Sequence, residues 1–233
     1  MRLGLIGLPM SGKTTVFSAL TSVSRPPGSA ASGRPDVQIA VVNVPDPRLD
    51  RLYELFPRPR KVQAQITYAD VGGLAKGIGA GGLSGSFRNE LNQMDGFLHV
   101  VRVFEDPNVP HPEGDVDPQR DLEILENEFL LADMVTVEKR RERLRDEIAK
   151  GKDRAANLRE DELFARLQSA LEDEIPLREL DLSEAERQSL RGYGFLTLKP
   201  KLVVLNMGEE GNHLGAAIRV RGELTPVLAI RGK

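Results

Sequence analysis

The octapeptide Gly7-Leu8-Pro9-Met10-Ser11-Gly12-Lys13-Thr14 constrains this chain more than any other feature. It fits G-x-x-x-x-G-K-[ST], and its surroundings matter as much as its letters. Leu3 to Ile6 reads as a short buried strand, and Thr14 to Leu20 reads as a helix. A strand, a glycine-bearing loop and a helix, in that order, gather backbone N–H groups and a helix N-terminus around one point. Such a point holds a polyphosphate, whose charge is too high to bury cheaply in any other way. Leu8, Pro9, Met10, Ser11, Gly12, Lys13, Thr14 and Thr15 are therefore the candidate phosphate-binding residues. Lys13 is expected to reach the β- and γ-phosphates, which gives it a catalytic as well as a binding role, and the Thr14 hydroxyl to ligate Mg2+.

The rest of the chain supplies more strands. Val37 to Val44 is β-branched, Val62 to Ala69 alternates and ends at Asp70, and Phe97 to Phe104 is apolar. Lys201 to Leu205 and Pro226 to Ile230 complete the set. Short apolar strands separated by helices predict an α/β fold with a mostly parallel sheet. Between Phe104 and Lys201 the composition changes. Asp117-Pro118 is a helix start, with a capping carboxylate and a proline at the first helical position. Leu122, Leu125, Phe129 and Ala132 follow at helical spacing, and the pattern continues through Val137, Leu144 and Ile148 until Gly151 breaks it. A second stretch carries Leu163, Phe164, Leu167 and Leu171. Two charged helices with a narrow apolar stripe predict an inserted antiparallel helical hairpin, coiled-coil-like in character. The expected division is a nucleotide-binding domain of residues 1–120 and 194–233 and a helical insert of residues 121–193. Arg140, Arg141, Arg143 and Arg145 could touch phosphates, but Glu138, Glu142, Asp146 and Glu147 lie among them, so a solvated helix face is the preferred reading.

Ser22 to Gly33 and Gly72 to Gly85, the latter with seven glycines, read as loops beside the chemistry. Asp70-Val71-Gly72-Gly73 fits D-x-x-G at a strand end. Asp70 is expected to hold the metal through water, and Gly73 to offer its N–H to the γ-phosphate. Asn206-Met207-Gly208-Glu209 follows another strand and stands where P-loop GTPases carry N-K-x-D. Asn206 is expected at the purine, with Met207 beside it. Glu209 is longer than the usual Asp and places its carboxylate differently, so guanine preference does not follow. Adenine presents a donor beside an acceptor where guanine presents two donors.

Several function classes are excluded or disfavoured. The net charge is −3, so no global basic field exists and direct DNA binding is not expected. There is no cysteine, which rules out disulfides and thiolate metal sites and fits a reducing cytoplasm. The three histidines form no His-x-x-x-His pair. No apolar run approaches the roughly 18 residues of a membrane span. His99, Phe87 and Phe97 read as core residues, and His111 receives no role.

The motifs and their neighbours together resemble the YchF/Obg-like ATPases, a branch of the Obg group of translation-factor-class P-loop GTPases. Val44-Pro45-Asp46-Pro47-Arg48-Leu49-Asp50-Arg51-Leu52 and Asp70-Val71-Gly72-Gly73-Leu74-Ala75-Lys76-Gly77 look like the family's signatures. So do His99-Val100-Val101-Arg102-Val103-Phe104-Glu105-Asp106, His111-Pro112-Glu113-Gly114-Asp115-Val116-Asp117-Pro118, Leu131-Ala132-Asp133 and Thr136-Val137-Glu138-Lys139-Arg140. The resemblance implies a G domain with an inserted hairpin, an N-x-x-E base motif with relaxed or adenine-preferring specificity, slow hydrolysis of ATP and often GTP, and association with ribosomes in the cytoplasm. Leu74 stands where most such GTPases have a water-orienting Gln. Leucine cannot hydrogen-bond a water, so a slow intrinsic rate follows.

The chain also departs from the family. Met10 stands where an Asn is usual. The first switch offers only Ser29 and Ser32 in place of the usual Thr. Ala229-Ile230-Arg231-Gly232-Lys233 replaces a Ser-Ala pair at the base-contact loop, and the family's C-terminal TGS domain is expected to be missing, with the last strand left uncovered. The rival readings are a nucleotide switch that hardly hydrolyses, a P-loop small-molecule kinase, and an interaction module built on the hairpin.

Overall fold

In the computed structural model, residues 1–23, 37–56, 60–71, 78–79, 82–151, 153–208 and 218–231 are described. Strand β1 (Arg2–Ile6) runs into the glycine loop and helix α1 (Lys13–Thr21). Strand β2 (Val37–Asn43), helix α2 (Pro47–Leu55) and strand β3 (Gln65–Val71) follow. A two-residue ribbon, β4 (Ile78–Gly79) with β5 (Gly82–Leu83), occupies part of the glycine-rich stretch that reads as loop in the sequence. Next come helix α3 (Gly85–Asn92), strand β6 (Gly96–Arg102), the long helix α4 (Pro118–Ala149) and helix α5 (Arg154–Glu172). Helix α6 (Glu184–Leu190), strand β7 (Lys201–Met207) and strand β8 (Val227–Arg231) complete the order.

The six main strands form one sheet in the order β2-β3-β1-β6-β7-β8. Every neighbouring pair is parallel except β2 with β3. The α/β fold with a mostly parallel sheet is therefore as the sequence predicts. Strand ends moved by a few residues. β3 begins at Gln65 rather than Val62, because its partner β2 ends at the pairing Asn43↔Gln65, and Val62 is left exposed. Helix α2 was not foreseen, although Asp46 and Pro47 repeat the start signal of α4: the Asp46 side chain accepts from the Arg48 N–H, and Pro47 opens the helix.

Helices cover both faces of the sheet. On one, Val16 and Phe17 of α1 pack with Leu5, Val100 and Val204. On the other, Phe87 and Leu91 of α3 and Leu125 and Phe129 of α4 pack on Ile6, Ala69 and Val71, while Leu122 packs with Val101, Val203 and Leu205. Burying such side chains stabilises by about 1.5–3 kcal/mol each. At the far edge Val227 and Leu228 of β8 remain half exposed.

Helix α4 starts where expected, with the Asp117 carboxylate accepting from the N–H groups of Gln119 and Arg120. Past Phe129 its packing partner changes. Leu130, Val137, Leu163, Phe164 and Leu167 form a separate apolar seam between α4 and α5, and Gly151 turns the chain back with φ 71°. The basic cluster on α4 is not merely solvated. Arg140 grips Glu160 with two hydrogen bonds, of 2.9 and 2.8 Å, and Arg141 reaches Asp161 at 3.1 Å and Gln168 at 2.7 Å. These pairs lie across the seam, so half the cluster zips the hairpin, while Arg143 and Arg145 stay exposed. Where the chain returns to the sheet, Asp133 of α4 accepts from the N–H groups of Leu196 and Thr197 and from the Thr197 hydroxyl. Burial pushes that carboxyl up to about 6. Lys199 then donates to the carbonyls of Leu91, Asn92 and Met94 and closes the end of α3. Among the described residues no helix is long and apolar enough to cross a membrane.

Candidate functional site

Strand order reverses at β1: the chain adds β3 and β2 on one side and β6, β7 and β8 on the other. In open α/β sheets the crevice at the carboxyl ends of the strands, at such a reversal, is where ligands bind. The glycine loop leaves β1 at that crevice. Gly7, at φ 147°, lies so close to β6 that a Cβ would sit 2.2 Å from the Val100 carbonyl oxygen. Gly12, at φ 93°, would meet the Asn206 amide nitrogen at 2.2 Å. Met10 takes φ 61° with a side chain and is 60% exposed, so the loop holds a left-handed residue that Asn or Gly would adopt more cheaply.

The loop brings Lys13 over its own backbone. The ammonium donates to the carbonyls of Gly7 at 2.9 Å and Leu8 at 2.8 Å. Loss of surrounding water pulls Lys13 down to about 8, against the opposing pull of the Asp70 charge. One residue on, the Thr14 hydroxyl donates to Asp70 Oδ2 at 2.7 Å, while Asp70 Oδ1 is buried without a partner among the described residues. The end of β3 and the start of α1 thus place a hydroxyl and a carboxylate side by side, both hard oxygen ligands. No three His, Cys, Asp or Glu side chains gather as a cage among the described residues. A cation at Thr14 and Asp70 would therefore draw on phosphate and water for its remaining ligands, which suits Mg2+.

Asn206, at the end of β7, donates its side-chain amide to the Ser11 carbonyl at 3.1 Å. This ties the end of β7 to the glycine loop. Its carbonyl oxygen is buried with no partner among the described residues. Between these parts lies an open cleft of about 560 Å³, lined by Met10, Gly12, Lys13, Thr14 and Thr15 on one side and by Asn206 and Gly208 at its end. Of the other expected residues, Leu8 is buried in the core beneath the sheet, Met207 packs beside Val101 and Leu205, and Ser11 is buried. Gly73, Leu74 and Glu209, like Ser29 and Ser32, lie outside the described residues. His99 is buried and held neutral by desolvation, as a core residue. His111 is also buried, its Nε2 lying 2.8 Å from Asp121.

No protein-family model matches the chain. Among curated proteins, the ribosome-binding ATPase YchF of Bacillus subtilis is 36% identical over 99% of this chain and 65% of its own length. The Obg-like ATPase 1 of Oryza sativa subsp. indica is 35% identical over 90% of this chain and 53% of its own. Among solved structures, the Schizosaccharomyces pombe YchF GTPase superposes with a TM-score of 0.72 at 34% identity, over 90% of this chain and 57% of that one. The chain belongs to the YchF/Obg-like ATPase family. It spans between about half and two thirds of the length of these YchF and Obg-like relatives.

One wall of the YchF-type cleft escaped the sequence reading. Phe104, Glu105, Asp106 and Val109 line it opposite the glycine loop. Phe104, Glu105 and Asp106 carry part of the YchF/Obg-like resemblance, but no motif chemistry marks them. The signal that would have found them is positional: they follow directly on β6, at the carboxyl edge where the crevice must lie.

Proposed function

We propose that this chain binds a nucleoside triphosphate with Mg2+ and hydrolyses it slowly, as the nucleotide-handling part of a ribosome-associated switch in the cytoplasm. The observation that carries this reading is the convergence of Lys13 and Thr14 from the start of α1 and Asn206 from β7 on one cleft, with Asp70 of β3 bonded to Thr14. Lys13 would exchange its two carbonyl partners for phosphate oxygens. Thr14 would ligate the Mg2+ and Asp70 would hold it through water, and the bound ion would neutralise charge on the β- and γ-phosphates. Asn206 Oδ1, unpaired among the described residues, could accept from the C6 amine of an adenine. ATP and GTP both stay candidate substrates, in keeping with relatives named as ATPases and as a GTPase. Gly73 is assigned to the γ-phosphate, Leu74 to the place of a water-orienting side chain, and Glu209 to the base, on the sequence pattern. A leucine there supports a slow rate.

Residues 1–120 and 194–233 would form the nucleotide domain and residues 121–193 the projecting arm, with the first turns of α4 serving both. The test is direct titration of ATP and GTP with Mg2+, beside a Lys13→Ala control. ATP binding at least as tightly as GTP, abolished by the substitution, supports the reading. Preference for GTP by tens of times would overturn the assignment of Asn206 and Glu209, and absence of both would overturn the nucleotide reading itself.

A further inference from the structure

Phe104 to Pro110 forms a strap between two hollows. In front is the 560 Å³ cleft; behind is a second cavity of about 360 Å³, bounded by Arg102, His111 and Val116. With open space on both sides, packing alone does not fix the strap. Its root is tied to the sheet, where the Val103 N–H donates to the Asn206 carbonyl at 2.9 Å. Beyond the root, one side chain from outside the strap holds it among the described residues. Arg102 is 2% exposed, and its Nε donates to the Phe104 carbonyl at 2.9 Å while Nη2 donates to the Val109 carbonyl at 2.8 Å. The guanidinium carbon also lies 4.5 Å from the centre of the Phe104 ring. No carboxylate pairs with Arg102 among the described residues, and Nη1 has no partner there. The buried cation is therefore committed to the two ends of the strap.

Phe104 is the part of the strap nearest the base motif. A Cβ added to Gly208 would come within 3.0 Å of the Phe104 Cβ. We infer that Arg102 is a positioning residue: by pinning the strap it fixes the Phe104 ring as an aromatic wall at the base end of the cleft, and so sets affinity for the purine but not for the phosphates. The inference rests on the nucleotide reading of the cleft. The tether itself does not.

The experiment compares Arg102→Met, Arg102→Lys and Phe104→Ala with the unaltered chain. Hydrogen exchange is read without nucleotide, at the amides of Asn108 and Val109, which are bonded to Asp106 within the strap. Affinity is read for Mg-ATP and, separately, for magnesium tripolyphosphate, which has phosphates and no base. Arg102→Met is expected to speed exchange in the strap while leaving that of β1 and α4 unchanged. It should weaken ATP about tenfold with tripolyphosphate unaffected, the effect of losing two charge-assisted hydrogen bonds that act only through the wall. Arg102→Lys, which can reach one carbonyl, should recover part of both effects. Phe104→Ala should weaken ATP alone. Unchanged strap exchange in Arg102→Met overturns the tether, and equal weakening of ATP and tripolyphosphate overturns the role at the base. If Arg102→Met does not fold, the same two readouts on Arg102→Lys and Phe104→Ala decide the matter. An unaltered chain that binds neither ATP nor tripolyphosphate overturns the nucleotide reading, while the exchange rates still judge the tether.

Discussion

If Lys13 meets the phosphates as proposed, raising the pH through about 8 should weaken nucleotide binding, because burial brings the loss of its proton into that range. In the free protein Lys13 is pulled down to about 8 by burial. A bound triphosphate surrounds it with negative charge and pushes it back up, so binding takes up a proton. Affinity is then fully present below about pH 8 and is lost as pH rises above it. With a free-state value near 8, Lys13 is about nine-tenths protonated at pH 7 and one-tenth at pH 9, so the dissociation constant for Mg-ATP should rise about tenfold between them, or about 1.4 kcal/mol. The terminal phosphate of the nucleotide is almost fully ionised above pH 7 and contributes little of its own to this window. Titration calorimetry at pH 8, in buffers of different ionisation heat, should find about half a proton taken up per nucleotide. A dissociation constant that stays flat from pH 7 to 9, with no proton uptake, would refute the argument. It would mean that Lys13 keeps its charge despite the loss of water.

Three further outcomes are expected. Asp133 is held near 6 against an ordinary 3.8, so the folded state binds that proton more tightly than the unfolded one. Relative to a non-titrating Asp133→Asn variant, the wild type should lose about 2 kcal/mol of stability as pH rises from 4 to 6, read from urea midpoints; parallel pH profiles would contradict this. Met10→Asn should stabilise the nucleotide-free protein by about 1 kcal/mol by relieving the left-handed backbone at an exposed side chain, and an unchanged melting temperature would show that no strain is stored there. Asn206→Ala should cost about 1–3 kcal/mol in thermal or urea unfolding, because it leaves the buried Ser11 carbonyl without its donor, and should also weaken ATP; loss of ATP affinity with unchanged stability would assign Asn206 to the base alone.

Local signals made much of this molecule legible. The phosphate loop is eight consecutive residues whose strand and helix adjoin it, and Asp117-Pro118 announces α4 by capping chemistry that needs no tertiary partner. Asp46-Pro47 carries the same signal for α2, with the carboxylate accepting from the Arg48 N–H within one turn. What stayed hidden depends on distance along the chain. Arg140 and Arg141 look like part of a solvated run until α5 brings Glu160 and Asp161 opposite them, 20 residues on. Asp70 reads as a metal ligand from D-x-x-G, but its bond to Thr14, 56 residues away, is visible only when β1 and β3 lie side by side. The strap has no motif because what fixes it is one arginine and two backbone carbonyls, and carbonyls have no letter in the sequence.

Helix α4 is 32 residues long, about 48 Å, and after Pro118 it contains neither glycine nor proline. Its inner turns are embedded against the sheet and its outer turns against α5, with nothing between them that bends easily. Mechanically it is a beam clamped at one end. A tilt of about 5° at the clamp displaces a tip roughly 25 Å away by about 2 Å, and the relation runs equally well in reverse. A load applied near Gly151 therefore has no soft joint in which to dissipate within the helix; it arrives as torque on Leu122, Leu125 and Phe129, directly beneath the strands that carry the cleft.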